Sequence, residues 1–458
     1  MTQHQADMAL IIGILALASL IPVTVALRRA HAFGDWDLTA SMVFLIGVLA
    51  NVPTVMYVIH TGRPERLDPL GEVVIGFPQW VNRIGTAANG ILLSACVAFV
   101  LHRLLSARAR INVVPLIAFG LVLLLAFSDG LHGQQLLAPR QLTLLAALLA
   151  AAVARPGRSA FLGGAAVVML STVLGGIEAL IEPSTVMREC RADNPCGLLG
   201  VLYSGVFTNE NIFSLLLIVG IPFVWLGLRG RVRVVLACYV AFVAVATGSR
   251  LAGVTAVAVV AFLMLLRPRL PDEVGEGDAI TSPGRVMLAV PILGVVTAIA
   301  IAAPFRQLKA DSLGDRAVIW EIARDELRES ALFGFGGKAW SGKYHAGEIP
   351  AAVSPSLHNQ WIDILYAGGI VGLALFLLLL AHLLVGGGAR GFPIAACVLL
   401  PVLLASVLER PWSFGFSNAL TFTLVAALVP GAGRPAAAPA VPESGSSRAA
   451  APARTLHR

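Results

Sequence analysis

In a chain of 458 residues, 57% are apolar and 13% charged, with a mean hydropathy of +0.83; a soluble globular protein has about 45–50% and about 25%. No water-soluble core hides that much oil, which excludes a soluble enzyme. The formal charge of +7 does not point to nucleic acid, because Lys and Arg punctuate hydrophobic runs instead of gathering on one face or arm.

In chain order, Ala9–Leu27, Ile91–Leu101, Phe161–Leu180, Ile212–Leu228, Leu251–Leu266, Val286–Ala303 and Ile362–Leu384 approach or reach the length of helix that spans hydrocarbon. With shorter runs included, the pattern predicts an all-α, polytopic membrane helix bundle of about 12–13 transmembrane helices. Arg28 and Arg29 follow the first span, and basic residues recur after every second span: Arg103, Arg108 and Arg110, then Arg155 and Arg158, Arg229, Arg231 and Arg233, Arg267 and Arg269, Arg390 and Arg434. Cytoplasmic loops carry that signature, and roughly 18 Lys/Arg fall on that side against roughly 8 on the other, leaving out the one long loop. The first span is then an anchor with its short tail outside. The segments Thr61–Thr86, Asp129–Arg140, Glu182–Gly200, Thr247–Arg250, Pro304–Asn359 and Glu409–Gly415 are expected outside, in a multi-pass protein of the cytoplasmic (inner) membrane.

Cys96, Cys238 and Cys397 lie within apolar spans and read as packing residues. Cys190 and Cys196 share an external polar loop, where a disulfide and two separate thiols are both admissible. Neither spacing is that of a metal site, and no metal or cofactor is expected. The connection Pro271–Gly284 is rich in Gly and acids, and 431–458 reads as a disordered cytoplasmic tail.

The long hydrophilic segment 304–359 carries DRAVIWEIARDELRES at Asp315–Ser330. Ile319, Ile322, Ala323 and Leu327 recur at helical spacing, predicting an amphipathic helix on the outer surface with Asp315 as N-cap. The following Gly334–Lys338 is not a phosphate loop, since it lacks the leading Gly at the right spacing and a Ser/Thr after the Lys. At its end, Ser356 is expected to cap the next span and put His358 in the first helical turn, where the helix dipole favours a neutral imidazole. His345 has no predicted helix to orient it. Arg250 closes ATGSR at the outer end of a span, where a guanidinium needs an anion or snorkels. Asn209 and Asn211 stand in FTNEN, where the chain re-enters the membrane.

Taken together, Phe207–Asn211, Thr247–Arg250, Arg316–Trp320 with Leu332–Gly336, and Leu357–Asn359 through Gly368–Gly372 resemble the O-antigen ligase and O-antigen polymerase superfamily. The resemblance covers roughly 199–384. It implies spans 1–198, a catalytic region 199–385 that includes external loop 304–359, and C-terminal spans 386–430. It further implies a metal-independent, inverting GT-C-type glycosyltransferase. The glycan would move from a polyprenyl-pyrophosphate donor to a glycan, lipid or protein acceptor hydroxyl at the outer face of the cytoplasmic membrane. In this reading His358, Arg316 and Arg250 are catalytic, and Asn209, Asn211, Lys338, Asn359 and Arg410 bind substrate.

Two other readings compete with this one. A polyprenyl-phosphate-sugar-dependent glycosyltransferase would use a metal held by acids such as Asp35 and Asp37, but charge parity places them inside. A transporter or flippase of lipid-linked glycan would show repeated halves and mid-membrane charge, and neither is apparent.

Overall fold

A computed structural model describes residues 2–61, 66–67, 73–74, 77–106, 111–188, 190, 196–273, 281–307, 313, 316–349 and 356–429. The protein is an all-α bundle with many membrane-spanning helices. In order these are α1 (Gln3–Ala32), α2 (Leu38–Thr61), α3 (Gln79–Leu105), α4 (Val113–Leu131), α5 (Pro139–Val153), α6 (Arg158–Ile181), the single turn α7 (Pro183–Val186), α8 (Glu210–Gly227), α9 (Val232–Ala246), α10 (Arg250–Leu266), α11 (Pro283–Ala302), α12 (Arg316–Glu326), α13 (Ala339–His345), α14 (Gln360–Val385), α15 (Gly388–Ala405) and α16 (Thr421–Leu428). Among the described residues nine helices are long and apolar enough to cross a membrane, and the apolar α5, α9 and α10 are shorter. Two hairpins of two-residue strands, β1 (Arg66–Leu67) with β2 (Val73–Val74) and β3 (Met187–Arg188) with β4 (Leu202–Tyr203), are antiparallel.

Lipid gives helices no hydrophobic reason to associate, so small residues that let backbones approach carry the packing. The α1–α6 crossing shows this: a Cβ on Gly176 would lie 2.1 Å from the Cβ of Ala16. The core runs through α6 and α8, which bury most of their length, while α1, α3 and α11 turn most of theirs outward. Cys96 and Cys397 are buried as expected, whereas Cys238 is exposed on α9. The expectation that it packs inside fails because α9 shows that face to the surroundings. Cys190 and Cys196 are bridged.

The helix ends sort into two faces. On one, Asp35 before α2 pairs with Arg229 after α8 at 2.6 Å, and Arg158 at the start of α6 pairs with Asp272 and Glu273 after α10 at 3.2 and 2.9 Å. Arg158 also donates to the carbonyls of Leu226 and Leu228 at the C-terminus of α8, where a cation meets the negative end of the helix dipole. Burial opposes the Asp272 charge, but Arg158 and Arg229 outweigh it and hold this carboxyl below its ordinary range. On the opposite face, Gln5 of α1 donates to the carbonyl of Arg188, Tyr203 to Thr247, Ser417 to Arg140, and the segment after α12 meets α4. The ends alternate between the faces as charge parity requires, and we call them the basic face and the loop face.

Candidate functional site

The loop face carries a module built on a broken helix. At Gly369, φ is 60° and ψ −159°, a conformation essentially reserved for glycine, and α14 is interrupted there. Backbone groups at the break are met by the segment before α13: Phe335 and Gly336 donate to the carbonyls of Tyr366 and Ala367, and Ile370 and Val371 donate to those of Ala331 and Leu332. The glycines read in the sequence as a failed phosphate loop are therefore there for close approach. A Cβ on Gly334 would lie 2.5 Å from the carbonyl oxygen of Tyr366. Asp129 at the end of α4, itself fully buried, accepts from the Lys338 backbone at 3.1 Å and from Gln141 at 3.1 Å, anchoring the segment from below.

The amphipathic helix begins at Arg316; Asp315, expected as its cap, lies outside the described residues. Its apolar face, Ile319, Trp320 and Ala323, packs with Phe335, Trp340, Leu357, Ile362 and Tyr366 into a small core of its own. Trp320 donates to the carbonyl of Leu357 at 2.7 Å, and Glu326 accepts from the Tyr366 hydroxyl at 2.6 Å. So α12 is a folded wall of the site. His345, expected without a helix, ends α13.

The cap of α14 is Asn359, not Ser356. Asn359 Oδ1 accepts from the backbones of Trp361 and Ile362 at 2.9 and 3.1 Å, while Ser356 only accepts weakly from the His358 N–H at 3.4 Å. An Asn at this position reaches two of the free N–H groups of the first turn, and that decides the register. His358 thus stands one residue before the cap with φ at +48°, outside the first helical turn. The dipole argument for its neutrality does not apply as expected. Asn359 Nδ2 donates to the carbonyls of Ala300 and Val407 at 3.0 Å each, so this fully buried amide is engaged by backbone on every side. Its visible role is to hold the His358 turn between α11 and the end of α15.

What holds the imidazole is a carboxylate. Glu409 follows α15; its Oε2 lies 2.9 Å from His358 Nδ1, and its Oε1 accepts from Arg316 Nη2 at 2.8 Å. Only 12% of the Glu409 side chain is exposed, and burial alone would raise its carboxyl. His358 and Arg316 outweigh that and hold it below the ordinary range. Alongside, Arg410 donates to Asp363 of α14 at 2.9 Å. Three elements distant in sequence, α12, the start of α14 and the end of α15, therefore converge on one cluster: Arg316, His358, Asp363, Glu409 and Arg410.

The other expected site residues share the face but not the cluster. Lys338 reaches the carbonyl of Gln135 at 2.5 Å and Asp129 at 3.7 Å. Asn209 caps α8 by accepting from Ile212 at 2.8 Å, and Asn211 stands in the same first turn, beside Glu210, which pairs with Arg188 at 2.9 Å. Arg250 opens α10 and is exposed; no hydrogen bond or ion pair joins it to the Glu409 cluster among the described residues. Its helix packs on α15, whose end leads to Glu409.

Residues 234–377 match the family model described as O-Antigen ligase. The resemblance to the O-antigen ligase and polymerase superfamily holds. The match runs from α9 into α14 and takes in Arg250, Arg316, Lys338, His358 and Asn359, while Asn209, Asn211, Glu409 and Arg410 lie beyond it. No curated protein matched the chain. The chain is a multi-pass membrane protein that over 234–377 is similar to O-antigen ligases. Asp35 and Asp37, the acids of the metal-using alternative, stand at the basic face: Asp35 pairs with Arg229, and Asp37 caps α2 through Thr39 and Ala40. Glu409 and Asp363 were not singled out in the sequence. The signal available was an acid–base pair, Glu409–Arg410, between apolar runs that otherwise carry almost no charge.

Proposed function

We propose that the protein transfers a glycan from a polyprenyl-pyrophosphate carrier to an acceptor hydroxyl, at the outer face of the cytoplasmic membrane. The supporting observation is the single carboxylate, Glu409, that holds a histidine and an arginine side by side at the loop face. With Nδ1–H donated to Glu409, Nε2 is the ring nitrogen assigned to receive the acceptor proton. In the step itself, the acceptor oxygen bonds to the anomeric carbon while the bond from that carbon to the pyrophosphate oxygen breaks. The hydroxyl proton goes to His358 Nε2, and the carrier pyrophosphate leaves with the electron pair. Attack opposite the leaving group inverts the sugar carbon. Growing negative charge on the leaving group is met by guanidinium groups, Arg316 beside Glu409 and Arg250 at the head of α10, without need of a metal. Arg410, Lys338, Asn209 and Asn211 are assigned to binding donor and acceptor at the same face.

The test is deletion of the gene followed by analysis of surface glycan and lipid-linked intermediates. Loss of long chains with single repeats retained marks a polymerase, and long chains stranded on the carrier mark a ligase. Unchanged surface glycan and intermediates would overturn the proposal. Transfer by the purified protein should also survive a chelator; abolition by EDTA and rescue by a divalent metal would overturn the metal-independent step.

A further inference from the structure

Far from the Glu409 cluster, α2 and α3 leave a groove of roughly 530 Å³ between them, within the range of small-molecule sites. Met42, Leu45, Leu92 and Phe99 line it, and Ser41 and His102 stand at its basic-face end. Leu101 and Leu105 beside that end are exposed, so the groove lies on the lipid-facing flank. A groove of this lining in this place takes hydrocarbon, but the surrounding bilayer is equally oily, and apolar burial alone selects nothing there.

Selection comes from the mouth. Arg103, one residue beyond His102, and Arg155, two residues after the Val153 carbonyl that Arg103 reaches, stand at the same end, with Asp37 as the opposing carboxylate. That carboxylate is partly spent, since its Oδ1 accepts from Thr39 and Ala40 at 2.7 and 3.1 Å. Arg103 uses Nε on the carbonyl of Val153 at 3.2 Å, which fixes the guanidinium in place. Its Nη groups, and the exposed Arg155, make no hydrogen bond or contact ion pair among the described residues. Two neighbouring cations at the polar end of an oily groove are complementary to one kind of molecule, a phosphate with an acyl tail.

We propose that this groove seats one acyl chain of an anionic glycerophospholipid from the leaflet at the basic face, with the lipid phosphate between Arg103 and Arg155. The tail fixes where the lipid sits and the arginine pair chooses its charge. Each such cation near an anionic headgroup contributes about fivefold to binding.

The experiment uses the full chain in detergent with phosphatidylglycerol or phosphatidylcholine added, read by native mass spectrometry. Phosphatidylglycerol should stay bound under conditions that strip phosphatidylcholine. The double variant R103Q/R155Q should weaken retention by about 25-fold, and Ala95→Phe, which fills the groove without touching charge, should weaken it as well. Arg269→Gln, an exposed cation elsewhere on the basic face, should not. Variants are compared only after their melting temperatures without added lipid match the parent, with Ala95→Leu standing in if Phe is not tolerated. Equal retention of the two lipids would overturn the site. So would R103Q/R155Q binding like the parent, or an effect of Arg269→Gln as large as that of the pair. Loss with the charge variant but not with the groove variant would mean adhesion to surface charge alone, and would overturn it too.

Discussion

His358 Nδ1 lies 2.9 Å from one oxygen of Glu409, and the other oxygen of that carboxylate accepts from Arg316. A carboxylate on Nδ1 favours one tautomer and holds the ring plane, and in the proposed step the acceptor proton goes to Nε2. In the proposed reaction Glu409 acts through the imidazole it holds. Glu409→Gln keeps the shape but removes the charge, and transfer should fall by about 10²-fold with little change in donor KM. His358→Ala should cost about 10²–10⁴. Retention of more than about a tenth of parent turnover by His358→Ala, well above what loss of a general base allows, would reduce His358 to an anchor.

Acid should act on the same pair. The Glu409 carboxyl is held below its ordinary value, so the stability it lends is present above the unfolded value and is lost as pH falls through the folded one. In the parent protein, melting temperature should therefore drop on the acid side, and Glu409→Gln should flatten that drop. A parallel slope in parent and variant would show that other carboxylates govern it.

The two arginines should respond differently to replacement by lysine. Arg316 already places Nη1 on the carbonyl of Leu313 and Nη2 on Glu409, so its fork is held rigidly, whereas Arg250 is exposed at the head of α10. Arg316→Lys should lower kcat strongly, because a point charge cannot keep both bonds and still face a phosphate. Arg250→Lys should act mainly on donor KM, about tenfold or less. Steady-state kinetics over donor concentration separate the two, and an unchanged kcat in Arg316→Lys would remove it from the reacting centre.

Which face meets the cell exterior is set by the basic loops. In a Cys238→Ser background, a cysteine at exposed Glu348 should react with an impermeant thiol reagent in intact cells, and one at exposed Ser282 should not. The reverse pattern would invert the topology and remove the argument for a lipid-pyrophosphate donor.

The bundle was legible because hydropathy and charge parity are local properties, repeated a dozen times. The resemblance alone makes His358, Arg316 and Arg250 candidates, and it says nothing of their partners. Glu409 is 51 residues from His358 and reaches it only because α15 returns the chain to the loop face, a relationship that no spacing rule carries. The Asn359 cap was misread as Ser356 because both are good caps, and burial between α11 and α15 chose between them. Pairing of the segment 331–336 with the interrupted α14 was likewise hidden. Glycines in FGFGG and AGG look like loop and packing residues until each is seen to face the other's backbone.

That pairing gives the last prediction. Gly369 has a backbone conformation that costs a side-chain-bearing residue about 1–3 kcal/mol, and a Cβ there would also lie 2.3 Å from the carbonyl oxygen of Leu332. Gly369→Ala should therefore let α14 run straight and expel the 331–336 segment, whose hydrogen bonds to Tyr366, Ala367, Ile370 and Val371 would be lost together. Because α12 is tied to α14 through the same small core, Arg316 would leave Glu409 and transfer should collapse, although Gly369 itself touches no substrate. Hydrogen exchange distinguishes this from general unfolding. Amides of 331–336 and of α12 should lose protection while those of α6 and α8, packed in the main core, keep theirs. Uniform loss across the bundle would show that the break is needed for the fold as a whole, and protection unchanged throughout would show that α14 does not need glycine to stay broken.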